Sequence, residues 1–343
     1  MARSYRIAVI KGEGIGPEVV DAAMKVLDAA QQAYGFTLEY LMCEAGVAAI
    51  PKYGTNLPEE TVEKLKSSHA CLKGPVTTPE EPGSPVSVAV KIRRMFDLYA
   101  NVRPSKSLPG VPSLKPNIDL VIVRENTEGF YFAKEFEVSP GVAISTRLIT
   151  RRASERIARF AFNLAMKRKK KVTYVHKANI LKLTDGIFKQ AVLDVAREYP
   201  EVEVEELRVD AAAMQLIRRP ESFDVIVTTN MFGDILSDEA AALVGGLGFA
   251  AGANLGEKYG MFEPVHGSAP KYAGLNKVNP TAMIFASKMM LEYLGETEAA
   301  KGVEWAIHEV LREGKVRTYD LGGSATTSQM AEAIAKKVLE QSK

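Results

Sequence analysis

Short apolar runs alternate along this chain with segments of helical length, and no other feature restricts the fold as much. Tyr5-Arg-Ile-Ala-Val-Ile10, Asp119-Leu-Val-Ile-Val-Arg124, Val172-Thr-Tyr-Val175 and Phe223-Asp-Val-Ile-Val-Thr-Thr229 read as strands, each followed by a helical stretch. That order predicts an α/β fold with much parallel sheet rather than segregated layers. Charged residues at 25% and hydrophobic ones at 46% fit one large or two modest globular domains with a sizeable core.

Two stretches break the alternation. Pro75 to Pro85 holds Thr77, Thr78, Pro79, Glu80, Glu81, Pro82, Gly83 and Ser84, and predicts a long surface loop. Arg103-Pro-Ser-Lys-Ser-Leu-Pro-Gly-Val-Pro112 predicts a second irregular zone, where the chain is expected to cross between domains. A net charge of +2 points away from a nucleic-acid surface, and the basic run Lys167–Lys171 reads as a solvated helix end. Cys43 and Cys71 show neither metal spacing nor a disulfide framework, which fits a reducing cytoplasm. The first strand begins too early for a signal peptide, and no apolar run reaches the ~18 residues of a membrane span.

Chemistry is written most plainly in Asn230-Met-Phe-Gly-Asp234-Ile-Leu-Ser-Asp238, where Gly233 reads as a turn after the strand. Asp234 and Asp238 then share one helix face, a pattern suited to a hard divalent cation or, alternatively, to an acidic first turn that complements the helix dipole. Gly12-Glu-Gly-Ile-Gly-Pro17 does not match the dinucleotide fingerprint, since its glycines fall as G-x-G-x-G and Pro17 follows; it predicts a tight turn lining a cleft, not a Rossmann site. Arg93, Arg103 and Arg124 end separate segments, and forked guanidinium groups of this kind grip carboxylates if they converge.

Several long motifs in the same order make the chain resemble the metal-dependent β-decarboxylating dehydrogenases of isocitrate, homoisocitrate and 3-isopropylmalate. They are Gly12–Glu18, Asp97–Pro104, Val123–Gly129, His176-Lys-Ala-Asn179, Asn230–Asp238 and His266-Gly-Ser-Ala-Pro270, with Glu13 where the family usually has Asp. The resemblance implies oxidation of a 2-hydroxy acid by NAD(P), loss of the β-carboxylate and protonation of the enolate. It implies Mg²⁺ or Mn²⁺ held by Asp234 and Asp238 with Asp210 of a partner subunit, and Lys177 of that subunit handling the hydroxyl proton with Asp210. Tyr131 would protonate the enolate carbon, helped by nearby cations.

By the same resemblance, substrate choice lies in Thr77, Thr78 and the segment Ser87-Val-Ala89-Val90-Lys-Ile-Arg93. Ser87 resembles isocitrate enzymes, which typically carry Asn at Ala89; Ala89 and Val90 also suit an isopropyl group, and the arginine that some homoisocitrate enzymes place at Val90 is absent. The reading is isocitrate and/or homoisocitrate, with 3-isopropylmalate as the alternative. Lys271, Tyr272, Val278 and Tyr319 resemble NADP-using enzymes, although Gly323 stands where those place a further arginine, so NADP is favoured and NAD stays open. Other cofactor contacts are implied at Asn179, Glu263, His266, Gly267, Ser268, Ala269 and Asn279.

The implied fold is a three-layer α/β/α body with a large domain from residues 1–102 and 252–343 and a small domain from 103–251. An arm at about 135–150 would clasp the partner of a homodimer, with a tetramer left open. A noncatalytic regulatory subunit of a heteromeric isocitrate enzyme is the rival of another class. Loss of Tyr131, Lys177 or a metal aspartate would favour it, and all are present.

Overall fold

The computed structural model describes residues 3–81 and 83–341, so Pro82 of the expected Pro75–Pro85 loop lies outside the described residues. The chain opens with β1 (Arg3–Ile10), α1 (Gly16–Tyr34), β2 (Phe36–Cys43), α2 (Ile50–Tyr53), α3 (Glu59–Ser67), β3 (Ala70–Lys73), α4 (Val88–Met95) and β4 (Ala100–Lys106). The middle holds β5 (Asp119–Glu125), β6 (Gly129–Ser139), β7 (Val142–Leu148), α5 (Arg151–Met166), β8 (Lys171–His176), α6 (Thr184–Ala196), β9 (Glu203–Arg208), α7 (Val209–Arg218), β10 (Val225–Thr228) and α8 (Asn230–Leu243). It closes with β11 (Ala251–Leu255), β12 (Gly260–Pro264), α9 (Thr281–Tyr293), α10 (Thr297–Glu313) and α11 (Thr327–Gln341).

Ten strands form one sheet in the order β2-β1-β3-β12-β11-β4-β5-β10-β8-β9. Its outer parts are parallel, as the alternation predicts: β12, β3, β1 and β2 on one side, β5, β10, β8 and β9 on the other. At the centre β11 runs antiparallel to both β12 and β4, and β4 antiparallel to β5, so strand direction reverses there. Helices α1, α9, α10 and α11 pack together, burying Val26, Leu27, Met283, Ile307 and Met330, which draws both ends of the chain into one body. On the other half, α5 packs against α6 and the sheet, while α8 lies on β5. The hairpin β6–β7 stands apart from the main sheet.

Two local expectations are corrected. Arg103 to Lys106 is not irregular: β4 continues through Pro104 to Lys106. Pro104 lacks an N–H, but β11 pairs only with Ala100–Val102, so Pro104 sits where β4 has lost that neighbour and costs no bond on that side. Gly233 is not a turn ahead of a helix but lies inside α8. A Cβ there would stand 2.7 Å from Cβ and Cγ of Arg124, so glycine is what lets the first turn of α8 close onto the end of β5. The turn at Gly12 and Gly14 is as tight as expected: both have positive φ, and added Cβ atoms would meet the carbonyls of Pro75 and Ser268.

Candidate active site

Two of the three arginines, Arg103 and Arg124, converge on one carboxylate, and Arg93 lines the adjoining cleft with Arg103. Arg124 ends β5 with 1% exposure; its Nε and Nη2 donate to Asn230 Oδ1 at 2.9 and 2.6 Å, and its Nη1 to Asp234 Oδ1. Arg103 reaches the same oxygen from β4 at 3.0 Å, donates to Ser237 Oγ at 2.7 Å and lies 3.6 Å from Asp238 Oδ1. Tyr131, from β6, donates to Asp234 Oδ2 at 2.5 Å and has the Arg124 guanidinium 4.8 Å from its ring centre. Asp234 is therefore held from three strands, and one turn of α8 sets Asp238 beside it.

The charges of this cluster are not evenly compensated. Burial raises Asp234, but Arg124 and Arg103 more than reverse it, so its carboxyl is held below the usual range. Asp238 goes up instead, through burial and, against the pull of Arg103, through Asp234. Burial, joined by Arg103, brings Arg124 down to about 10. Tyr131 is raised, chiefly by burial; Arg124 pulls the phenol down and its bond to Asp234 pushes it up. Among the described residues, no group of three or more His, Cys, Asp or Glu side chains could hold a metal within one chain. The two aspartates do offer a hard, oxygen-only donor set of the kind Mg²⁺ or Mn²⁺ takes.

Beside the cluster lies a cleft of about 180 Å³ walled by Lys73, Ser87, Ala89, Arg93, Arg103 and His266, among others. Arg93, near the end of α4, donates to Glu263 Oε1 at 2.9 Å, and Lys73 to Glu263 Oε2 at 2.6 Å. Burial pushes the Glu263 carboxyl up, but Lys73 and Arg93 outweigh it and hold it well below the ordinary range. Among the described residues the buried Arg93 Nε has no hydrogen-bond partner. Lys73 was not foreseen; the only sign of it is a lysine closing the short apolar run Ala70-Cys-Leu. Val90 is half-buried and Thr78 exposed, while Thr77 shares a 2.8 Å hydrogen bond with Ser268.

The residues expected to bind cofactor divide into groups. His266 is lowered by burial and approaches its neighbour Gly267 O at 3.1 Å, and Ser268 O accepts from Ile15 N. Ala269 has φ 38°, a positive-φ corner that leads into the turn Pro270–Tyr272. Tyr272 and Tyr319 stack at 5.8 Å, with Lys271 over the first ring at 5.0 Å and Lys277 over the second at 4.8 Å. Val278 is packed in the core, so its side chain forms no part of this surface. Asn279 donates to Asp320 at 3.0 Å and caps Thr281. Asn179 is elsewhere, exposed beyond the end of β8.

Lys177 and Asp210 pair with each other at 2.7 Å, beyond the ends of β8 and β9. No hydrogen bond or ion pair among the described residues joins either to Asp234. The backbone at Lys177 is anchored: Asp185, fully buried, accepts from Lys177 N at 2.6 Å and from Arg147 of β7.

A family model described as isocitrate/isopropylmalate dehydrogenase matches residues 6–334. The chain is 51% identical to a 3-isopropylmalate/3-methylmalate dehydrogenase of Methanocaldococcus jannaschii, over 98% of its own length and 100% of that protein. It is 52% identical to an isocitrate/homoisocitrate dehydrogenase of Thermus thermophilus, over 97% and 98%. The crystal structure of isocitrate dehydrogenase from Methylococcus capsulatus superposes with a TM-score of 0.93 at 47% identity, covering 98% of this chain and 99% of that one. With a buried arginine pair and a tyrosine gathered on one aspartate of α8, and with this likeness along its whole length, the chain belongs to the isocitrate/isopropylmalate dehydrogenase family of decarboxylating oxidoreductases.

Proposed function

We propose that this enzyme oxidatively decarboxylates isocitrate and/or homoisocitrate with NADP, through active sites shared between two copies of the chain. The carrying observation is the charge of the cleft lining, where Lys73 and Arg93 share Glu263, the one carboxylate among the described lining residues, and Arg103 adds a third cation that Asp234 holds from beyond the lining. A surplus of fixed cations suits an acid with three carboxylates, and the Ser87 hydroxyl suits the distal one. A second reading, 3-isopropylmalate or a smaller 3-alkylmalate, rests on Ala89 and Val76, which give the same cleft an apolar wall. Lys271, Lys277 and the stacked phenols of Tyr272 and Tyr319 support a 2′-phosphate and hence NADP; NAD remains the alternative.

Arg93, Arg103 and Arg124 orient the acid by its carboxylates, in the fixed geometry that proximity effects require. Asp234 and Asp238, with Asp210 of a second copy, would hold the divalent ion, which supplies Lewis-acid stabilisation of the charge that develops on the substrate oxygens. Lys177 of that copy takes the hydroxyl proton as its neutral amine, and the ammonium so formed pairs with Asp210. NADP, when bound, would supply the acceptor for the substrate hydride. Tyr131, kept protonated by its surroundings, then delivers a proton to the carbon freed of its carboxylate.

Support for a second copy comes from the surface. Ile180, Leu183 and Ile187 flank Lys177, Met214 and Ile217 follow Asp210 on α7, and Ile235 sits next to Asp234; all are exposed, Leu183 at 84%. A surface this apolar beside two functional residues fits an interface better than open water. The hairpin β6–β7 exposes Phe136, Val138, Val142 and Ile144 and would serve as the clasping arm. We further assign the halves of the sheet to two domains, residues 1–102 with 252–343 and residues 103–251, that close over the cleft.

The test is steady-state reduction of NADP and NAD with Mg²⁺ or Mn²⁺, offering isocitrate, homoisocitrate, 3-isopropylmalate and 3-methylmalate in parallel. A tricarboxylate advantage of about tenfold in kcat/KM supports the charge argument. An alkylmalate advantage shows that Ala89 and Val76 govern the cleft.

A further inference from the structure

A chain of buried side-chain hydrogen bonds crosses the centre of the sheet, and every link points the same way. Arg103 Nε donates to Asn101 Oδ1 at 2.8 Å, Asn101 Nδ2 to Asn254 Oδ1 at 2.6 Å, and Asn254 Nδ2 to Glu263 Oε1 at 2.9 Å. Register explains the geometry. Asn101 of β4 lies opposite Asn254 of β11, while Arg103 and Glu263 are each two residues along from a paired position, so all four project from one face. A cation stands at one end and a carboxylate at the other, and the two amide dipoles are aligned between them. Asn254 is the fully committed link: it is 0% exposed, accepts also from Asn126 at 2.9 Å and donates also to Met261 O at 3.2 Å. Among the described residues Asn126 Oδ1 alone of this group is buried without a partner, and the amides from Arg103 to Glu263 are each bonded, the condition under which a buried network is rigid.

We propose that Asn254 is a positioning residue that sets Arg103 against Glu263, so that the grip on the substrate acid is fixed by a side chain that does not itself line the cleft. The inference rests on the reading that Arg103 binds that acid. With Asn254 in place, the Arg103 Nε is tied back and Nη1 alone faces Asp234 and Ser237. Without the amide, Asn101 loses its acceptor and is free to rotate, which releases the Arg103 Nε. Glu263 loses one of its three side-chain donors and keeps Lys73 and Arg93.

The experiment compares Asn254→Asp and Asn254→Leu with the wild type as full-length protein, using isocitrate with Mg²⁺ in calorimetry and pH–rate profiles with the acid turned over fastest. Protonated, the carboxyl introduced by N254D is isosteric with the amide and can donate its one O–H to Glu263, giving up the bond to Met261 O; ionised, it repels Glu263 and loses that bond too. Burial and Glu263 push this new carboxyl above the ordinary range, with Lys73, Arg93 and Arg103 lying one residue beyond. The N254D variant is therefore expected to bind isocitrate like the wild type at low pH and to weaken by about tenfold or more as pH rises. The wild type shows no such step, and N254L is weak at every pH. Melting temperatures separate misfolding from mispositioning, since a merely unstable N254L leaves the pH response of N254D unexplained. An N254D profile that overlays the wild type overturns the inference alone. If the wild type turns over none of the acids, the functional reading falls and this role falls with it.

Discussion

Tyr131 of β6 and Asp234 of α8 meet at 2.5 Å, phenol to carboxylate, with Arg124 stacked over the phenol ring. Asp234 is therefore already engaged on both oxygens before a metal or substrate arrives. Replacing Tyr131 by Phe removes one donor while Arg103 and Arg124 remain, so the fold should survive. The reaction should not. We expect kcat to fall by roughly 10²–10⁴ with little change in KM, the signature of a lost proton donor. Steady-state kinetics beside a melting curve decide it, and a Y131F variant with normal kcat removes Tyr131 from the chemistry.

Acid should attack the cleft through Glu263. Its folded-state pKa is depressed, so its stabilising contribution is present above the ordinary carboxylate pKa of about 4.3 and is lost as pH falls through the lower folded value. In E263Q the dependence from this group disappears and Lys73 and Arg93 are left buried without a counter-charge. That should cost about 3–5 kcal/mol at neutral pH. Urea unfolding of both proteins from pH 7 downward measures it; parallel curves with equal midpoints contradict it.

The Asp185–Arg147 pair ties the hairpin to the loop that carries Lys177. With Asp185 fully buried and Arg147 nearly so, D185A strands a guanidinium between Phe130 and Phe232. We expect a loss of about 3–5 kcal/mol in stability. A larger fall in kcat than in substrate affinity should accompany it, because Lys177 loses its anchor. Denaturant titration and calorimetry of the variant separate the two effects.

Leu183, at 84% exposure, is the simplest probe of the paired state. L183E places a charge in the proposed interface and should yield an inactive monomer by analytical ultracentrifugation. Stability of the remaining fold should be little affected, since so exposed a side chain buries almost nothing within its own chain. A fully active dimer would falsify the interface.

Gly233→Ala tests the contact between α8 and β5. The added methyl would lie 2.7 Å from the Arg124 side chain, which cannot yield without leaving Asn230 and Asp234. Overpacking of this kind costs about 1–3 kcal/mol, and KM for the acid should rise as Arg124 is displaced. Unchanged KM with normal stability means that the helix absorbs the methyl by shifting.

The sequence by itself determined the α/β class and the family, and it singled out the candidate site residues. It did so because those depend on local pattern: apolar runs of strand length, glycines at tight turns, and motifs whose residues lie within a few positions. It also marked Asp234 and Asp238 as neighbours, since a helix repeats its faces every turn. It misjudged Arg103–Lys106, where Pro104 looked like a break, because the partner that tolerates a proline there is set by how far β11 extends. Only the tertiary structure decided that Arg103, Arg124 and Tyr131 share one carboxylate, that Lys73 belongs to the cleft, and that Asn101 and Asn254 link Arg103 to Glu263. Asn101 and Asn254 stand 153 positions apart and face each other only through the register of β4 on β11. Register is a property of the assembled sheet, fixed by packing on both faces and not by either strand alone.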